Sequence, residues 1–208
     1  MMRSRYVAAR TAFDPSLQTE ALIADFTTHF YSAEAAPHVR QYMQIMAKAF
    51  TTANTSLDFN GRPLTGDPSR HMGITNAVFA NKTLLLSAAA LSAAKTATAH
   101  APRLIQLRLD QAMLNVLWVI LQRWDGLREF AAAQHIAWPL PSTSKAAAFD
   151  TFARGLTFAF AQDEPGFDSG EHGSLQPYFY EHIPVSPGSS RYTSKTCNLE
   201  CFKTQLGL

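Results

Sequence analysis

The sequence predicts an all-α fold: an irregular bundle of about six helices followed by a loop-rich C-terminal tail. Three observations carry that expectation. Apolar residues recur at spacings of three and four through most of residues 15–161. Alanine and leucine, both strong helix formers, dominate residues 83–99. Glycine, proline and asparagine gather in residues 51–73, and glycine, proline and serine after residue 163, where helical periodicity stops.

The first thirteen residues hold Arg3, Arg5 and Arg10 and no acid. They fit a mitochondrial transit peptide, and they fit an amphipathic helix with Tyr6, Val7 and Phe13 apolar equally well. Asp14-Pro15 reads as a helix start, an N-cap acceptor followed by proline in the first turn. Leu22, Phe26 and Phe30 then recur every four residues, giving one apolar stripe from Pro15 to about Tyr31. After a break at residues 32–37, Val39, Tyr42, Met43, Met46 and Phe50 continue at helical spacing, so residues 15–50 form an antiparallel helical hairpin.

Residues 51–73, with Asn60-Gly61, Pro63, Asp67-Pro68 and Gly73, are the main internal loop and a candidate functional one. Helices resume over 74–161. The alanine-rich segment ends near His100-Ala101-Pro102, and so much alanine permits close helix approach. Residues 103–124 carry Ile105, Leu109, Ala112, Val116 and Ile120 on one face and form the central helix. A shorter helix follows over 125–134, ended by Trp138-Pro139-Leu140-Pro141. Ser142, Thr143 and Ser144 then offer N-caps for a last helix bearing Phe149, Phe152, Leu156 and Phe160. Residues 1–162 are therefore one helical domain, and residues 163–208 an irregular or disordered tail.

Composition narrows the partners. Charged residues make up 16% of the chain against a typical value of about 25%, so part of the surface is expected to meet a neighbouring domain or a second subunit. The formal net charge is +2 and no Lys/Arg block is dense enough to track phosphates, which argues against nucleic acid. The longest apolar run, Ala112 to Leu121, is half the roughly 20 residues of a membrane span, so it reads as a buried helix and no membrane is implied. No secretory h-region is present, and the compartment stays open. Cys197 and Cys201 lack the second Cys/His pair of a zinc site and read as free thiols.

The candidate chemistry is sparse. Asp25/His29 and Glu34/His38 sit at i,i+4 spacing, but on the flanks of the apolar stripes rather than facing inward as bundle metal sites do. The acidic loop of Asp163, Glu164, Asp168, Glu171 and His172 lacks the alternation of a calcium loop. Tyr178, Phe179 and Tyr180 could stack on a sugar or pack against another domain. No nucleophile elbow, phosphate-cradling glycine loop, zinc-protease motif or dinucleotide fingerprint occurs, so no catalytic residue, metal or cofactor is assigned. The candidate ligand-binding residues are Tyr31 and Arg40 of the hairpin, His71 of the long loop and Trp138.

Arg10-Thr11-Ala12-Phe13-Asp14-Pro15, then Phe26-Thr27-Thr28-His29-Phe30-Tyr31-Ser32-Ala33-Glu34-Ala35-Ala36-Pro37 and Val39-Arg40-Gln41-Tyr42-Met43 form a distinctive text. It resembles an uncharacterised helical domain found downstream of alpha-glucuronidase-like regions in large, mostly bacterial proteins. Members of that family show Trp-Asp-Pro at the start, then a Phe preceding Tyr-Tyr-Gly, then Ala-Ala-Pro and a Tyr. Here Phe13 stands for the tryptophan, and Ser32 for the glycine that would end the first helix. The resemblance covers about residues 5–160, with the motif confined to the first forty or so. It implies a helical accessory region packed against a catalytic (β/α)₈ barrel that carries the acids, in cis or in trans, with carbohydrate as a further partner. The abrupt helical start likewise reads as a piece of something longer. The alternative is a free-standing interaction module that homodimerises through alanine-rich faces.

Overall fold

A computed structural model describes residues 2–53, 77–161 and 203–208. Among these, every regular element is helical: α1 (Met2–Phe13), α2 (Thr19–Tyr31), α3 (Ala36–Thr52), a single 3₁₀ turn (Ala77–Phe79), α4 (Asn81–Ala97), α5 (Arg103–Gln122), α6 (Trp124–Ala133) and α7 (Lys145–Ala161). The long loop with His71, the acidic and aromatic stretches of the tail and both cysteines lie outside the described residues.

The Asp14-Pro15 helix start is corrected. Residues 2–13 form their own helix, and Asp14 makes a turn beyond it. Its Oδ1 accepts from the Ser16 backbone N–H at 3.0 Å and the Ser16 hydroxyl at 2.6 Å, which hold the carboxyl below its ordinary pKa. The next helix begins only at Thr19. An N-cap and an Asx turn share the same first hydrogen bond, so sequence alone does not separate them. The residue before proline also disfavours helical geometry, which stops α1 here.

The hairpin closes at Ser32, whose φ of 94° and ψ of 160° lie in a region that essentially only glycine visits. That is the position where the family pattern has glycine. Local bonds hold the serine there: its N–H donates to the Thr28 carbonyl at 3.1 Å, its carbonyl accepts from Ala36 at 3.0 Å, and its hydroxyl accepts weakly from Ala35 N–H at 3.4 Å. Glu34 is hydrogen-bonded by its own backbone N–H and by the Ser32 hydroxyl, which lowers its pKa. Pro37 sits in the first turn of α3, where it loses no helical bond.

The centre of the molecule is α5. Leu109, Met113, Val116, Leu117, Ile120 and Leu121 are all buried, against Leu84, Leu85, Ala88 and Leu91 of α4 and Phe149, Phe152 and Leu156 of α7. By length and composition α5 could cross a membrane, but many of its apolar side chains are packed in this bundle and it carries a buried acid, Asp110. Three of the α4 alanines, Ala88, Ala90 and Ala94, are buried between α4 and its neighbours, while Ala89 and Ala97 face solvent.

α5 and α7 share the most extensive helix contact among the described elements, and Gly155 lets their backbones approach closely. A Cβ added there would stand 2.5 Å from the Asp110 carbonyl oxygen and 2.7 Å from its carbon, both backbone atoms that have no room to yield. α6 ends in a Schellman motif: His135 N–H bonds Ala132 O at 3.1 Å and Ile136 N–H bonds Ala131 O at 2.8 Å, with His135 at a φ of 51°. Ser144 caps α7 through Ala147 N–H at 3.4 Å, one of the three caps anticipated from sequence.

Two substitutions test these contacts. Gly155→Ala should force α5 and α7 apart and lower stability by about 3 kcal/mol, read as a reduced urea midpoint. An unchanged midpoint would contradict the close approach. Ser32→Gly should raise stability by about 1 kcal/mol by relieving the positive φ. In the same variant Glu34 should titrate closer to its ordinary pKa, by NMR, since the hydroxyl is gone. A carboxyl with a depressed folded pKa contributes stability above the ordinary glutamate range and loses it as pH falls through the folded value. The variant should therefore lose less stability than the native chain over that interval.

Candidate functional site

Three polar arrangements stand on the helical frame. The first lies at the C-terminal end of α2. Tyr6, Phe26, Phe30 and Tyr31 form a run of ring contacts, with Tyr6–Phe26 at 5.6 Å, Phe26–Phe30 stacked at 5.0 Å and Phe30–Tyr31 edge-on at 4.9 Å. Arg108 of α5 lies 4.1 Å from the centre of the Phe30 ring and donates from Nη1 to the Phe30 carbonyl at 2.8 Å. A cation there offsets the negative end of the helix dipole and satisfies a carbonyl that the helix itself leaves open. Arg40 of α3 donates from Nη1 to the Thr27 hydroxyl at 3.1 Å. Thr27 is fully buried and returns its own proton to Ile23 O or Ala24 O, at 2.9 and 3.1 Å. On the outer face of α2, Asp25 accepts from Tyr6 Oη and pairs with His29 Nδ1 at 3.1 Å, with His29 79% and Asp25 45% exposed. The Asp25 bond raises the Tyr6 pKa first, with desolvation second.

The second arrangement is the Asp110 clamp. The carboxylate is 3% exposed. Lys95 of α4 reaches one oxygen and Arg154 of α7 the other at 3.4 Å, so one buried acid on the central helix ties both neighbours to it. Its chemistry is structural: each oxygen already faces a cation. The third is a shallow cleft of about 330 Å³ lined by Asn81, Gln122, Arg123, Trp124, Asp125, Gly126 and Lys145. Arg123 is the residue between α5 and α6, and it donates to Phe79 O at 2.7 Å and to Asn81 Oδ1. Burial pulls its pKa below the ordinary arginine value. Lys145 donates to Leu206 O at 2.8 Å. Both cations of the cleft thus bind the chain itself.

Of the four sequence-predicted ligand residues, Tyr31 ends α2 with its ring edge-on to Phe30, and Arg40 reaches Thr27 of the same helix from α3. Trp138 is placed elsewhere. Its ring packs edge-on against Trp124 at 5.0 Å and its Nε1 donates to Ser142 O at 3.2 Å, so it braces the α6–α7 connection. His71 lies outside the described residues. Glu34 and His38 form no ion pair, and among the described residues no three His, Cys, Asp or Glu side chains converge to hold a metal. Sequence reading missed Arg108 and Asp110. Their signal was charge placed on an otherwise apolar central helix, where an ionised side chain must find a partner.

Removing the clamp tests its weight. Asp110→Ala should cost about 2–4 kcal/mol in denaturant unfolding, because two cations lose a buried partner. A loss below the scatter of surface substitutions would contradict it.

Comparison with known proteins places part of this geometry. A family model described as a domain of unknown function, DUF4838, matches residues 2–44, which are α1, α2 and the first half of α3. The hairpin motif falls wholly inside that segment, and the later helices lie beyond it. No curated protein matches the chain, and no solved structure does.

Proposed function

We propose that this chain is a non-catalytic helical accessory module of a carbohydrate-active, glycoside-hydrolase-like protein, docked on a catalytic barrel in cis or in trans. One observation carries the docking part. α1 packs mainly on α2 among the described elements, and Phe13 at its end is 92% exposed. A large aromatic side chain in water forgoes roughly 2 kcal/mol of burial, which a partner surface would recover. α1 also lies within the segment similar to a recurring domain family, residues 2–44. The low charge of the sequence supports the same reading. The carbohydrate context rests on the resemblance of the hairpin motif to domains that follow alpha-glucuronidase-like regions.

Sedimentation of the purified chain with a barrel encoded beside it tests the proposal. The expected result is a one-to-one complex that Phe13→Asp weakens by about tenfold, a substitution the folded chain tolerates because the site is open to water. A chain that sediments as a monomer beside the barrel would contradict docking. A dimer of the chain alone would favour self-association instead.

A further inference from the structure

We draw no further inference here: the strongest candidate, the shallow cleft where Asn81 starts α4, Asp125 and Gly126 lie in the first turn of α6 and Lys145 starts α7, rests on helix N-termini alone, because Arg123 and Lys145 already bind the chain itself and among the described residues no buried, unpartnered side chain lines it.

Discussion

Where Gly155 meets the Asp110 carbonyl, two helix backbones come close enough that no side chain fits between them. That contact sets the distance of α7 from α5, and the rest of the core is built around it. Phe149, Phe152 and Leu156 can reach the apolar face of α5 because the axes are this near. The same residue closes the arrangement electrostatically. Asp110 offers its backbone to α7 and its carboxylate to Lys95 and Arg154, so a single position binds three helices. A buried ion pair of this kind is a poor source of net stability, but removing one side of it is costly, which makes it a device for holding one arrangement.

α3 packs along α4 and shares that core through Ala35 and Val39. The α1–α2 end is held by different physics: a run of aromatic rings, and two arginines, Arg40 from α3 and Arg108 from α5, that fasten α2. Ser32 bends the chain between α2 and α3 in a conformation costly for a serine. The matched family segment coincides with this end, so the recurring sequence pattern describes a helical hairpin and the helix leading into it.

The helical class and most helix cores were legible from periodicity, because Leu22 and Phe26 on α2 and Leu109, Val116 and Ile120 on α5 recur at helical spacing and are buried. Pro37 and Ser144 were legible because backbone chemistry restricts them locally. Asp14-Pro15 misled, since a turn and a cap begin with the same bond. Trp138 is a ligand-binding candidate from sequence because sequence shows an aromatic ring and not what it faces; its partner, Trp124, is fourteen residues away and meets it only in the folded chain. Arg108 and Phe30 are paired across 78 residues, and the spacing of neither predicts the other. Gly155 was invisible for the same reason: its necessity lies in α5.

The molecule divides into a tightly held inner set of helices and an α1 that leans mainly on α2 and leaves Phe13 open to water. Hydrogen exchange of the isolated chain, resolved by peptide, tests it most directly. Amides of α5 and α7 should exchange only through global unfolding, and those of α1 should exchange far faster, by local opening. Equal protection of α1 and α5 would contradict the claim, because α1 would then already have all the partners it needs.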